Sequence, residues 1–304
     1  MIRSTLSPFL LSLRALARMA MKTRGTWINA ARYLVSNPRL FLHKLIFRLR
    51  SLRALPKSCV LKRINGILFE FDFDYAPVMR KMFYRDYEME TVVAMKKVLR
   101  NGDTFIDVGA NIGYLSAVGM GLVGKKGQVH SFEPVPEYLQ RLRKLAAMNT
   151  EYHLVANQCA LGEEEGTAPI AVTRLSNIGW NTMVPGFMNN ETMKEMIRVP
   201  VGRLDRYIAE RGLGRIALIK IDTEGFEYLV LKGLRHFLER AHDRPIIICE
   251  VAPAAYRLLG WRLSELSEYM RMFGYRAFDL IDRHAEIDIT TLEETTNVVF
   301  KVSA

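Results

Sequence analysis

Asp103-Thr-Phe-Ile-Asp107-Val-Gly109-Ala-Asn-Ile-Gly113-Tyr-Leu-Ser116 runs from a turn through a strand and a bend into a helix. Thr104 to Val108 is an apolar run opened by the turn pair Asn101-Gly102, which predicts a short buried strand. The run stops at Gly109, and an apolar helical pattern resumes from Tyr114. Strand, glycine-punctuated turn and helix make a cradle for a phosphate or a nucleoside, because glycine lets backbone approach a ligand closely.

Spacing separates those two ligands. Dinucleotide binders carry G-x-G-x-x-G, with a pyrophosphate facing the helix N-terminus. Here the turn is Gly109-Ala110-Asn111-Ile112-Gly113, and Asp107 stands just before it, at the carboxyl end of the strand. A carboxylate there repels a pyrophosphate and suits an ammonium group, which favours a ligand with an amino-acid moiety such as S-adenosylmethionine (SAM). Alternatively, Asp107 caps the turn. At βαβ distance follows Gln128-Val-His-Ser-Phe-Glu133-Pro134, a second strand ending in an acid. An acid so placed accepts hydrogen bonds from ribose hydroxyls.

Two motifs lie downstream, Val201-Gly-Arg-Leu204-Asp205 and Ile219-Lys-Ile-Asp222-Thr-Glu224-Gly225-Phe-Glu227. With the turn and Glu133 they resemble the FkbM family of SAM-dependent methyltransferases, from about Tyr87 to Val302. The resemblance implies an α/β, Rossmann-like class I methyltransferase: a mostly parallel seven-stranded sheet with an antiparallel last strand. It implies SAM as donor, and O-methylation of a hydroxyl on a sugar, glycan, lipid-linked saccharide or natural product. Gly109, Ala110, Asn111 and Gly113 would hold the cofactor with Asp107 and Glu133, and Ala160 and Leu161 would touch the adenine. Tyr87-Glu88 matches an aromatic–acid pair of the family; Glu88 either faces the cofactor or is a surface glutamate.

The net charge of +11 is unevenly spread. Residues 1–63 hold 14 Lys or Arg and no acid, whereas the rest holds 29 basic and 32 acidic residues. Three segments follow: a basic amphipathic helical segment 1–57, a hairpin and connection 58–86, and the catalytic domain 87–304. In the first, Leu6, Phe9, Leu13, Leu16 and Ala20 form one stripe opposite Arg3, Arg14 and Arg18. Such helices lie on anionic lipid, pack on the catalytic domain, or pair two subunits as a homodimer. An Arg-rich, acid-free start also fits a transit peptide. No apolar run reaches the ~20 residues of a membrane span. Cys59, Cys159 and Cys249 lack paired spacing, so a reducing cytoplasmic setting is expected, with attachment to the inner membrane face if lipid is the partner. Nucleic acid is not expected: base-directed enzymes carry Asp/Asn-Pro-Pro-Tyr/Phe after the fourth strand, where this chain has Asp222-Thr-Glu-Gly.

Further elements are predicted in order. Asn65-Gly66 joins a hairpin of 59–64 and 67–73, and 77–100 reads as one helix. A helix at 137–149 precedes a third strand at 153–161, and Gly162-Glu-Glu-Glu-Gly166 reads as a hairpin turn. Residues 174–200 read as a long loop, the usual place for function. Its Trp180 with Asn177, Asn181 and Thr182 offers an aromatic face and amides to a sugar; alternatively Trp180 plugs the loop onto the core. Helices at 204–211, 229–238 and 263–273 alternate with strands at 216–221 and 245–251, and strands at 275–281 and 297–302 close the sheet.

Methyl transfer to a hydroxyl needs alignment and removal of a proton. Asp222 and Glu224 follow the fourth strand and Glu250 ends the fifth, so these acids form a general-base site or bind Mg²⁺. Glu227 complements a helix dipole, and Lys220 pairs with Asp222 across the strand end. His130 reads as a core residue and His284 as a remote candidate base. A catalytically inactive SAM-fold scaffold is the reading from another class.

Overall fold

Asn65 (φ 47°) and Gly66 (φ 90°) both take left-handed backbone, the turn that matches strand twist. They join β1 (Val60–Ile64) to β2 (Ile67–Phe71) in the computed structural model. That structure describes residues 59–302 apart from 86, 175–177, 190 and 283, so the basic segment 1–57 and Asn177 lie outside the described residues. The hairpin belongs to the compact unit formed by residues 54–304. On β2 the alternation turns Ile67, Phe69 and Phe71 inward.

The predicted helix at 77–100 is two helices, α1 (Val78–Phe83) and α2 (Met89–Val98). Arg85 (φ 61°) and Glu88 (φ 48°) break it in left-handed backbone. Helical periodicity continues through the break, but tertiary packing overrides it: Tyr87 is drawn edge-on against Tyr114, with ring centroids 5.5 Å apart.

β3 (Thr104–Val108), α3 (Tyr114–Val123), β4 (Gln128–Phe132), α4 (Pro136–Met148) and β5 (His153–Asn157) follow as predicted βαβ units, except that the third strand stops at Asn157. The α4 residue Arg141 reaches the hairpin connection, bonding Asp72 at 3.0 Å and stacking on Tyr75. Asn149, just after α4, brackets the backbone N–H and carbonyl of Leu68 at 2.8 and 2.9 Å. The hairpin is thereby tied to the parallel sheet's own helix layer.

Ala160 and Leu161 form a separate short strand, β6, in a second sheet with β7 (Gly166–Thr173) and β8 (Met193–Gly202), in the order β6-β8-β7. Two expectations are corrected here. The turn at 162–166 is not a hairpin, since β6 and β7 flank β8 instead of pairing. The loop predicted at 174–200 ends before β8, whose polar Lys194, Glu195 and Arg198 read as loop but stand exposed on a strand paired with β7. Its order comes from the ladder to β7, a partner distant in sequence.

α5 (Leu204–Glu210) and β9 (Leu218–Ile221) precede another split. The helix expected at 229–238 is α6 (Glu227–Lys232) and α7 (Arg235–Arg240), because the carbonyl of Gly233 accepts from Asp205 N–H at 3.0 Å instead of continuing the helix. β10 (Ile246–Val251) leads into an unexpected short helix, α8 (Pro253–Leu258), with proline at its first position. α9 (Leu263–Met272), β11 (Tyr275–Asp279) and β12 (Thr296–Val302) complete the chain.

The large sheet has the order β11-β12-β10-β9-β3-β4-β5. β12 runs antiparallel to both neighbours, and the other registered pairs are parallel. β3 and β9, at its centre, are buried throughout. Strand order reverses between these two, and ligands of open α/β sheets bind outside the carboxyl ends at such a point. No helix among the described residues is long and apolar enough to cross a membrane.

Candidate active site

The carboxyl ends of β3, β4 and β9 open on a crevice with two lobes. One, of about 520 Å³, runs past Gly109 and Asn111 to Phe132, Glu133, Pro134, Cys159, Ala160 and Leu161. The other, of about 420 Å³, is walled by Tyr87, Glu88, Asp107, Ala110, Lys220 and Asp222. Gly109, Asn111, Gly179 and Asp222 line both, so the two lobes meet at the glycine turn. The first lobe is mostly apolar, with the acids Glu133, Asp222 and Glu224 on its wall; the second carries Glu88, Asp107, Lys220 and Asp222.

The turn is held by backbone. Gly109 and Ala110 N–H both donate to Phe132 carbonyl, at 3.1 and 3.0 Å. Asn111, in left-handed backbone (φ 52°), donates its N–H to Glu133 Oε2 at 2.8 Å, and its side chain donates to the Ile178 carbonyl. Gly113 (φ 86°) precedes α3, and a Cβ there would lie 2.8 Å from Leu142 Cδ2, so glycine lets the turn pack against α4.

Glu133 is 4% exposed, and Val135 N–H donates to its Oε1 at 2.9 Å. Burial pushes its carboxyl up to about 7, against the pull of those two N–H groups and Lys220. A carboxylate has about four lone-pair directions, which leaves acceptor capacity towards the first lobe.

Asp107 is fully buried. Ser116 Oγ donates to its Oδ2 at 2.6 Å and lies 2.8 Å from Ser131 Oγ, which ties β3, α3 and β4 together. Its Oδ1 has no hydrogen bond and lies 4.0 Å from Lys220 Nζ. Ser116 of α3, and not an N–H of the turn, thus occupies one oxygen, while the turn's Gly109, Ala110 and Asn111 N–H groups go to Phe132 and Glu133; the other oxygen is left towards the second lobe. Glu88 also lines that lobe, with Thr91 Oγ1 donating to Oε2 at 2.7 Å. Burial and then Asp222 push its carboxyl up.

Asp222, Glu224 and Glu250 bring carboxylate oxygens within 4.8 Å of one another. Lys220 Nζ donates to Asp222 Oδ2 at 3.0 Å. Burial, then the charge of Asp222, pushes Glu224 up to about 9; the same causes raise Glu250, whose Oε2 is buried without a hydrogen bond. Glu227 does more than decorate a helix dipole. It is fully buried, and its Oε1 accepts from Thr223 N–H, Thr223 Oγ1 and Gly225 N–H at 2.8, 3.0 and 3.0 Å, clipping the loop that presents Asp222 and Glu224.

The loop predicted to meet substrate is reassigned in part. Thr182 is 1% exposed; its hydroxyl donates to the Glu224 carbonyl at 2.7 Å and accepts from Val184 N–H, so it anchors the loop and is not free for an acceptor. Asn181 accepts from Thr173 N–H and hydroxyl at 2.8 and 3.1 Å, although it also lines the first lobe. Trp180 is 57% exposed, so it does not plug the core. His130 meets Tyr207 hydroxyl at 2.7 Å, and burial lowers it to about 4; it belongs to the packing, while His284 is exposed on the loop after β11 and lines neither lobe.

Lys220 is the residue whose place at the site sequence reasoning missed. The available signal was a lysine inside the apolar strand Leu218-Ile-Lys-Ile221, where it is 4% exposed. An apolar patch beside the acids was also illegible: Val184, Ala252 and Ala255 with Phe187, Phe226 and Leu259. Val184 and Ala255 crowd Gly225, next to Glu224.

Residues 107–277 match the family model for the methyltransferase FkbM domain. The chain is 29% identical over 229 residues to the 31-O-demethyl-FK506 methyltransferase FkbM of Streptomyces tacrolimicus, a match taking in 62% of this chain and 80% of that protein. It is 30% identical over 156 residues to methyltransferase sdnD of Sordaria araneosa, covering 42% of this chain and 59% of that one. Among solved structures, the methyltransferase FkbM of Methylobacillus flagellatus KT aligns with a TM-score of 0.43 and 20% identity over 74% of this chain and 54% of that chain.

Proposed function

The chain belongs to the FkbM family of SAM-dependent methyltransferases, and on that premise we propose that it methylates a hydroxyl presented to Asp222, Glu224 and Glu250. The observation that carries this reading is the bent crevice: a nucleoside-shaped lobe and a charged lobe meet at Gly109, with Asp222 on the wall of both. SAM fits these residues. Glu133 offers a carboxylate for ribose, Ala160 and Leu161 an apolar wall for the base, and the unbonded Asp107 Oδ1 an acceptor for an ammonium group. When bound, SAM supplies a methyl group on a sulfonium, an excellent leaving group. The chain's own part is to align the acceptor oxygen and take its proton. Asp222 is suited to that part, since Lys220 orients its carboxylate while one edge stays open to the crevice.

The acceptor combines a hydroxyl with an apolar body. Exposed Trp180, next to Gly179 on the wall of both lobes, supports this, whereas the Asn181 amide expected to bind a sugar instead holds the loop. A lipid-linked saccharide and a natural product both meet that description. The Streptomyces relative is named for an O-demethyl natural product, which favours the second. The basic residues 1–57 favour the first, by attachment to an anionic membrane surface.

The test is calorimetric titration with SAM, followed by transfer of labelled methyl from SAM into lipid-linked saccharides and apolar hydroxylated metabolites. Binding with label in an ether linkage supports the reading. No binding, as an inactive scaffold would show, removes it.

Glu133 gives the site a pH dependence whose sign is set. Its ionised form is the better acceptor for ribose, so SAM affinity is expected to rise between about pH 6 and about pH 8. Stability of the ligand-free protein moves the other way. A carboxyl raised from 4.5 to about 7 on folding contributes stability that is fully present below about 4.5 and lost as pH rises through about 7. Glu133→Gln should flatten the affinity profile and part of the stability profile, the remainder belonging to the other carboxyls that burial raises, Glu227 to about 7 and Glu224 to about 9 among them. Titration and thermal melts across that range check both slopes; an affinity slope that survives the substitution assigns it elsewhere.

A further inference from the structure

The second lobe contains a charge that the methyl-transfer step uses only in part, for orienting Asp222. Its acids, Glu88, Asp107 and Asp222, suit the ammonium of an α-amino acid. The same acids repel the carboxylate attached to the same carbon. Lys220 is the one base among the described residues lining either lobe. Its side chain is only 5% exposed, so its protons face protein or ligand, not bulk water.

The hydrogen bonds of that ammonium are incomplete. One proton is well placed, on Asp222 Oδ2 at 3.0 Å. A second reaches Gly109 carbonyl only at 3.5 Å, the outer limit of a hydrogen bond. Asp107 Oδ1 is 4.0 Å away and accepts nothing. An ammonium has three donors, so donor capacity remains between Gly109 and Asp107, where the charged lobe meets the glycine turn. The neighbouring acids keep Lys220 protonated in spite of burial, so the charge is available at physiological pH.

We infer that Lys220 recognises the carboxylate of the amino-acid end of SAM, while Asp107 and Glu88 take its ammonium group. This deepens the cofactor reading above and rests on it. Lys220 thereby sets specificity for the intact amino-acid moiety and orients Asp222 with its other proton. The competing possibility is a purely structural lysine that neutralises Asp107 and Asp222. The two differ in what happens when the ligand's carboxylate is removed.

The experiment is calorimetric titration of SAM and decarboxylated SAM against the full chain and Lys220→Met. The wild type is expected to prefer SAM by about 10- to 100-fold, the range of a charge-assisted hydrogen bond. In Lys220→Met that preference should fall to within about threefold, with affinity for decarboxylated SAM little changed. Lys220→Arg should keep part of the preference. Because Lys220→Met strands buried acids, a Lys220→Met/Asp222→Asn double variant provides the same comparison with less uncompensated charge. Equal wild-type affinity for the two ligands overturns the inference whatever the variants do. So does a variant that weakens both ligands alike. A wild type that binds neither removes the cofactor reading itself, a different result from either.

Discussion

Gly109→Ala is expected to yield a protein that melts well below the wild type and no longer binds SAM measurably. Gly109 has φ 74°, and a Cβ built on it would lie 1.8 Å from the Asp222 carbonyl oxygen and 2.9 Å from its carbon. Those atoms are backbone at the end of β9, not the tip of a yielding side chain. Either the turn lifts off β9 or the two central strands part. Left-handed backbone costs an alanine about 1–2 kcal/mol, and forced overpacking adds about 1–3 kcal/mol. The sum, about 2–5 kcal/mol, is a large share of the roughly 5–15 kcal/mol that holds a domain folded. For a domain of this size it lowers Tm by roughly 5–15 °C. Melting and titration check both parts; a variant that binds SAM within about tenfold of wild type would contradict the close approach of the turn to Asp222.

Asp222→Asn is expected to lower kcat by about 10³-fold, within the range for losing a positioned base, and to change SAM affinity by less than about tenfold. Asparagine keeps the shape and an oxygen for Lys220, but it cannot take a proton from the acceptor. It also removes the close counter-charge of a buried ammonium, so a fall in Tm should accompany the loss of turnover. Glu224→Gln is the informative control. Burial raises that carboxyl to about 9, so glutamine resembles the neutral form present at neutral pH, and kcat should stay within about tenfold. If instead Asp222, Glu224 and Glu250 hold Mg²⁺ together, Glu224→Gln should be as damaging as Asp222→Asn and chelation should stop turnover. Steady-state kinetics with and without a chelator separate the two.

The elements that announced themselves were those whose order is local. Thr104–Val108 and the glycine turn, Glu133 at the end of β4, and the apolar β10 are each legible from a few neighbouring residues. The hidden ones depend on partners far along the chain. β8 has strand backbone because β7 offers it a ladder, while Lys194, Glu195 and Arg198 make it look like solvent-facing loop. The break at Arg85–Glu88 interrupts a continuing helical period because Tyr87 packs on Tyr114. Thr182 looked like a ligand group because nothing in the sequence says that the Glu224 carbonyl lies 2.7 Å away. Lys220 was visible but was assigned only to Asp222; its place between Asp107, Gly109 and Asp222 is a property of strand order, with β9 beside β3.

The three-stranded sheet has a consequence for how such enzymes diversify. β6, β7, β8 and the loop bearing Trp180 form one uninterrupted excursion, residues 160–202, between β5 and α5. Much of the crevice's roof comes from this excursion, whereas Asp107, Glu133, Lys220 and Asp222 come from the parallel sheet and the turns at its strand ends. Apart from Ala160 and Leu161, which the proposed reading gives to the adenine, mutation confined to the excursion can therefore remodel what is accepted without rebuilding the donor machinery. Selection for a new acceptor and selection for retained chemistry act on largely separate stretches of one gene.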